Sequence, residues 1–266
     1  MCTTCGCGPD HSHSHSHDHD HGDGHTQPHS HDGHDHPVRH DHNHHGKTEP
    51  RKTVISIEED ILAKNNRLAG FNRALFREKG IFVLNLVSSP GSGKTTLLER
   101  TLRDLSAGIR CAVIEGDQQT DNDARRISKT GVPVRQINTG AGCHLDAHMV
   151  MHGTEGFDLD NLDLLLIENV GNLVCPAAFD LGEHHKVAVL SVTEGEDKPL
   201  KYPQMFHNST VMLLNKTDLL PHIDFDVEMC KEFARRVNPN ITIFEVSARS
   251  GEGMDAWYQW LKAGIS

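Results

Sequence analysis

Two kinds of side chain in this sequence are arranged for chemistry, and the first is a run of metal ligands at its start. In CTTCGCG (residues 2–8), Cys2, Cys5 and Cys7 offer three soft thiolates within six residues, and Gly6 and Gly8 let the backbone fold tightly around one ion. Removal of Met1 would free the Cys2 amine as a fourth ligand, a set that suits square-planar Ni2+ as well as tetrahedral Zn2+. From His11 to His45 follow fifteen of the chain's 22 histidines, interleaved with Asp, Ser and Gly. Imidazoles at every second or third position of a flexible segment can converge on one divalent ion, with nickel, copper and zinc favoured. Each ion bound orders the chain at an entropic cost, so the affinity per ion is modest. The irregular spacing separates this tract from an expression tag and points to metal buffering.

The second set is SPGSGKTT (89–96), a glycine loop ending in Lys94, Thr95 and Thr96. Backbone N–H groups around Gly91, Ser92, Gly93 and Lys94 can cradle phosphate where a helix begins, Lys94 reaches the terminal phosphates, and Thr95 ligates Mg2+. Ser88 stands where such loops usually carry their first glycine. Asn215-Lys216-Thr217-Asp218 closes a hydrophobic run, where Asp218 can accept from the guanine N1–H and 2-amino groups, neither of which adenine offers. Ser247-Ala248-Arg249 closes another, with the Ala248 N–H placed for guanine O6. Polar groups left unpaired by the wrong base reject ATP, so the predicted nucleotide is GTP. Asp117, at the end of CAVIEGD (111–117), is the candidate magnesium residue, acting through water. Glu168, in LDLLLIENVGN (162–172), takes the place of the switch acid, and Gly171 faces the terminal phosphate. Lys94, Thr95, Asp117 and Glu168 thus form the predicted catalytic set. No Gln or Arg is identifiable as a water-positioning group or finger, so slow intrinsic turnover is expected.

These groups need strands and helices to hold them. IFVLNLVS (81–88) is a continuous apolar run of the buried parallel kind, leading into the glycine loop and a helix from near Thr95. Further strands are predicted at 111–117, 134–138, 162–172, 210–218 and 241–253. Residues 56–79 read as a lead-in helix, with a capping box of Ser56 and Glu59 and with Ile57, Ile61, Leu68 and Leu75 at helical spacing. QQTDNDARR (118–126) reads both as a mobile switch and as an N-capped helix start. The first fifty residues have no hydrophobic periodicity and are expected to be disordered without metal. Residues 51–266, about 216 in number, suit one α/β domain.

Charge and composition narrow the partners. Of the formal net charge of −11, residues 1–50 supply −6, eight acidic residues against Arg39 and Lys47, which leaves the body near −5. No nucleic-acid or anionic-membrane surface is expected. The start lacks a basic and apolar leader, and no later apolar run approaches the roughly 18 residues of a spanning helix, so the expected location is the cytoplasm. Grouped cysteines in such a compartment read as metal ligands or redox groups rather than disulfides.

With these motifs in this order the sequence resembles the hydrogenase nickel-incorporation GTPases of the HypB family, within the larger group of P-loop metal-insertion GTPases. The resemblance runs from CTTCGCG through the His tract to the end of the body. It implies a mostly parallel seven-stranded sheet with helices on both faces, a homodimer promoted by nucleotide, and two partners, a HypA-like nickel/zinc protein and the hydrogenase large subunit. It implies a second metal site at Cys143, His144 and Cys175. Cys143 and His144 lie in TGAGCHLDAH, and Cys175 ends ENVGNLVC one short loop past Glu168, so GTP hydrolysis could toggle metal affinity. His148 and His152 continue the series from His144 at helical spacing and read as a solvated face able to add ligands. Cys111 and Cys230 read as core or surface thiols. The implied function is a nickel chaperone for hydrogenase maturation, with nickel storage by the His tract. Urease-maturation GTPases share the phosphate loop, but their metal motif is Cys-Pro-His, and here Cys175-Pro176 is followed by Ala177. A nickel store with incidental nucleotide chemistry is the other competing reading.

Overall fold

A computed structural model of the chain describes residues 54–118, 121–140 and 142–265. Cys2, Cys5, Cys7 and the His tract lie outside the described residues, as do Gln119 and Thr120 of the expected switch. Seven strands form one sheet: β1 (Phe82–Ser88), β2 (Cys111–Asp117), β3 (Val134–Asn138), β4 (Leu164–Glu168), β5 (His185–Ser191), β6 (Val211–Asn215) and β7 (Thr242–Glu245). Their order is β3-β2-β4-β1-β5-β6-β7 and every neighbouring pair is parallel, so the sheet is wholly rather than mostly parallel. Helices cover both faces: α1 (Val54–Lys79), α2 (Lys94–Leu105), α3 (Asn122–Ser128), α4 (Ala147–Gly153), α5 (Cys175–Ala178), α6 (Lys198–Lys201), α7 (Pro203–His207), α8 (Val227–Val237) and α9 (Met254–Ile265). Among the described residues no helix is long and apolar enough to cross a membrane.

Burial on both faces is why the central strands are unbroken apolar runs; every residue of β1, β4 and β6 is buried. Successive side chains alternate between two cores. Phe82, Leu84 and Leu86 point to the layer of α2 and α9, where Leu98, Trp257 and Leu261 pack. Val83 points the other way, to Phe76, Leu145 and Val150. Because all strands run the same way, the carboxyl ends of β1, β2, β4 and β6 lie along one edge of the sheet. That edge gathers Ser88, Asp117, Glu168 and Asn215, and β4 and β5 flank β1 where the chain order reverses, the usual ligand crevice of such sheets.

Several boundaries differ from the sequence expectation. The lead-in helix already runs at Val54, so Ser56 lies inside it and cannot be its N-cap. Its buried stripe is Asn65, Ala69, Asn72 and Phe76, while Ile61 is 51% and Phe71 69% exposed. Two asparagines occupy core positions because their amides bond to buried backbone, which hydrophobic periodicity cannot register. The predicted strand 162–172 is shorter, ending at Glu168. β5 was not among the predicted strands. Asp121 precedes α3 but makes no capping bond, pairing instead with Arg125 at 2.7 Å.

Candidate functional site

The chain leaves β1 at Ser88 and turns through residues 89–93 into α2. Gly91 and Gly93 adopt φ of 77° and 91°, and a Cβ on Gly93 would lie 2.7 Å from Asn215 Nδ2, so both positions require glycine. Ser88 keeps strand geometry, with its hydroxyl donating to the Ser89 carbonyl, so the missing first glycine has no conformational consequence. Lys216 Nζ donates to Gly91 O at 2.7 Å, and Asn215 Nδ2 donates to Ser92 O at 3.0 Å. The base-reading motif therefore braces the phosphate loop from behind.

On its other side Asn215 Oδ1 accepts the Ala248 N–H at 3.2 Å, a bond that a guanine O6 at this position would share or replace. Ser247 Oγ accepts from the Ser250 N–H and donates to Asp218 Oδ1 at 2.6 Å. Asp218, Lys216, Ala248 and Arg249 line a cavity of about 230 Å³ with Gly93 and Thr96. It adjoins, sharing Gly93, Thr96 and Lys216 as lining, a cleft of about 550 Å³ that Ser92, Lys94, Thr95, Asp117 and Gly171 also line. All of the predicted phosphate and base residues thus border these two adjoining cavities, apart from Ser247, which holds Asp218 from outside them. Gly171 backs onto the phosphate loop, where a Cβ would come within 3.2 Å of Pro90.

Glu168 is fully buried beneath this cleft, accepting from Thr95 Oγ1 at 2.7 Å and pairing with Lys94 Nζ at 3.3 Å. Burial pushes its pKa up, against the pull of Lys94. Its second oxygen has no hydrogen-bond partner. Glu115, level with Glu168 across the β2–β4 pairing, is also buried with one orphaned oxygen. Burial, reinforced by Glu168 and Asp117, pushes the Glu115 carboxyl up to about 8. The unpartnered Glu168 oxygen, on a carboxylate bonded to the Thr95 hydroxyl, is hard donor chemistry that fits a magnesium ion. Glu115 escaped the sequence reading, although an acid inside the apolar run CAVIE was its signal.

The three cluster residues come from two separate segments. Cys143 and His144 sit between β3 and α4, and Cys175 opens α5. Their ligand atoms all lie within 4.8 Å of one another. Burial lowers the His144 pKa, favouring the neutral imidazole that can bind metal, and its ring lies 3.8 Å from that of Phe179. Asn172 Oδ1 accepts from the Val174 and Cys175 N–H groups, while buried Lys186 donates to the carbonyls of Pro176, Ala177 and Phe179. The short α5 is held at both ends. Asn169, next to Glu168, accepts the Leu145 N–H at 3.0 Å, so the switch segment touches the Cys143–His144 loop directly. Gln118 Nε2 also reaches Gly142 O at 3.2 Å. His148 and His152 are exposed, 3.1 Å apart at Nε2, and stand outside the three-residue group. Cys111 and Cys230 are core thiols, pushed up to about 12 by burial.

Residues 82–245 match the family model of the CobW/HypB/UreG nucleotide-binding domain. The chain is 68% identical over 209 residues to the hydrogenase maturation factor HypB of Azotobacter vinelandii, covering 79% of this chain and 69% of that protein. It is 62% identical over 218 residues to the HypB of Escherichia coli, covering 82% and 75%. Among solved structures, HypB from Helicobacter pylori in complex with nickel superposes with a TM-score of 0.72 at 39% identity, over 76% of this chain and 95% of that one.

Proposed function

The chain belongs to the HypB family of P-loop GTPases, and we propose that it hydrolyses GTP to control nickel delivery during maturation of a nickel-iron hydrogenase large subunit. One observation carries this reading: the Cys143, His144 and Cys175 ligand atoms converge on one point at the far end of the segment that begins with Glu168. Thiolate and imidazole donors suit nickel, and zinc is the competing occupant.

In this reading Lys94 and the amides of Gly91–Lys94 hold the GTP phosphates. Magnesium would be held by Thr95 and the Asp117 and Glu168 carboxylates, Asp117 through water, and would neutralise charge on the phosphates during transfer. Both partners of Glu168, Lys94 and Thr95, are groups that GTP recruits, so nucleotide binding removes what holds this acid. The segment from Glu168 to Cys175 then rearranges, and Asn169 carries the change to Leu145. Nucleotide state thereby alters how well the three ligands share an ion. A nucleotide-dependent homodimer, a HypA-like nickel/zinc partner, a cytoplasmic location and nickel storage by the tail of residues 1–50 complete the proposal.

The test uses the full chain carrying Cys2→Ala, Cys5→Ala and Cys7→Ala, so that thiolate-to-nickel absorption reports Cys143 and Cys175. Nickel affinity is measured with GDP and with a non-hydrolysable GTP analogue. A difference of about 5- to 150-fold is expected, and linkage requires nickel to shift nucleotide affinity by the same factor. Equal affinities in both states would leave a static metal site. Deleting residues 11–45 separates storage, since hydrogenase activity should fall at limiting nickel and hold when nickel is ample.

A further inference from the structure

The two ligand-bearing segments of the cluster are far apart in sequence, one following β3 and the other following β4. Both are gripped by α1. Asn65 Oδ1 accepts the Ala147 N–H at 2.9 Å, while its Nδ2 donates to Asp180 O at 2.8 Å. Asn72, two helical turns on and on the same face, donates to Ala147 O at 2.8 Å and to Leu181 O at 3.0 Å. Each asparagine therefore spans from the segment carrying Cys143 and His144 to the segment carrying Cys175.

These amides are 5% and 2% exposed. Burying an amide is costly unless its hydrogen bonds are met, and here all four bonds end on the backbone of the two ligand segments. Arg73 adds a grip on the Asp180 carboxylate, its Nη2 donating to both oxygens, at 2.6 and 2.7 Å. Gly182, at φ +91°, brings the second segment against the helix: a Cβ there would lie 2.6 Å from Asn72 Cβ and 2.8 Å from Ala69 O. No side chain separates the segment from α1 at this point. Lys186 holds the same segment from the sheet side, so α1 completes its placement.

We propose that Asn65 and Asn72 are positioning residues of the metal cluster, stapling its two segments together and so setting the separation of Cys143 and His144 from Cys175. The hydrogen bonds of both asparagines end on backbone atoms of the two segments, and neither residue lines the nucleotide cleft. The inference rests on the reading that this cluster binds nickel. It predicts a loss confined to metal binding, of the size that displaced outer groups produce at metal sites.

The experiment uses the full chain with Cys2, Cys5 and Cys7 replaced by alanine, titrated with nickel while thiolate-to-nickel absorption and GDP affinity are both recorded. Asn72→Leu keeps the approximate volume and removes both donors. Asn65→Asp is isosteric, keeping the acceptor for Ala147 while turning the donor to Asp180 O into a repelling oxygen. Each should weaken nickel by about 10- to 100-fold and change the absorption band, with GDP affinity within about twofold of the parent. Unchanged nickel affinity and band in both variants would overturn the stapling role, provided that Cys175→Ala abolishes the band. If Cys175→Ala leaves the band intact, the cluster reading itself fails. Should Asn72→Leu lose GDP binding through misfolding, Asn65→Asp decides. A proportional loss of nickel and GDP in both variants overturns the inference in favour of a general packing role.

Discussion

Asp218→Asn tests nucleotide choice because the surrounding bonds dictate how the new amide must turn. Ser247 Oγ already accepts the Ser250 N–H and so offers its own hydrogen to Asp218 Oδ1 at 2.6 Å. In the variant the amide oxygen must remain toward Ser247, which aims the NH2 into the base cavity. A donor then faces the N1–H and 2-amino donors of guanine, where a carboxylate accepted both. Hydrogen bonds to a charged group contribute about 1.5–3 kcal/mol each, and the neutral amide recovers part of the loss because it is cheaper to desolvate. A net loss of about 3 kcal/mol corresponds to roughly 150-fold weaker GTP. Xanthosine triphosphate carries an oxygen in place of the 2-amino group and should regain one bond, so the variant should prefer it to GTP. Competition against a fluorescent GDP analogue measures both constants. Wild-type GTP affinity in the variant, or no change in preference between the two bases, would refute the assignment of Asp218.

Three further outcomes follow from the same geometry. Burial holds the Cys111 and Cys230 thiols up to about 12, so at pH 8 only about one part in ten thousand is thiolate. An alkylating reagent followed by peptide mass spectrometry should modify Cys143 well before either; labelling of Cys111 or Cys230 at the unfolded rate would contradict this. Gly253→Ala should destabilise the domain by at least about 2 kcal/mol, because φ is +71° and a Cβ would press on the Glu245 carbonyl. It should also weaken GTP by shifting the 247–249 loop, and an unchanged urea midpoint would argue against it. Replacing Cys2, Cys5 and Cys7 by alanine should remove the tightest nickel site while single-turnover GTP hydrolysis stays near the parent rate; a parallel fall in hydrolysis would show that tail and domain do not act separately.

The phosphate loop, the guanine motifs and the strand preceding each could be read from the sequence because they are local: a strand, a turn and the residue that follows determine one another over fewer than ten positions. Continuous burial wrote β1, β4 and β6 as apolar runs, and parallel pairing then brought their ends to one edge. The Cys143, His144 and Cys175 group was reached through family resemblance, since nothing in the spacing of residues 32 apart fixes a distance below 4.8 Å. Three buried polar groups, Glu115, Asn65 and Asn72, escaped the sequence reading. Glu115 acquires its raised pKa from burial and, after that, from Glu168, which strand pairing sets beside it. Helical spacing placed Ile61 on the apolar stripe of the lead-in helix, yet Ile61 is exposed while Asn65 and Asn72 are buried. Helical periodicity ranks side chains by their affinity for water, whereas an amide supplied with backbone partners is as much at home in a core as a hydrocarbon. Those partners belong to segments more than seventy residues away, so only the assembled fold could decide which face of α1 turns inward.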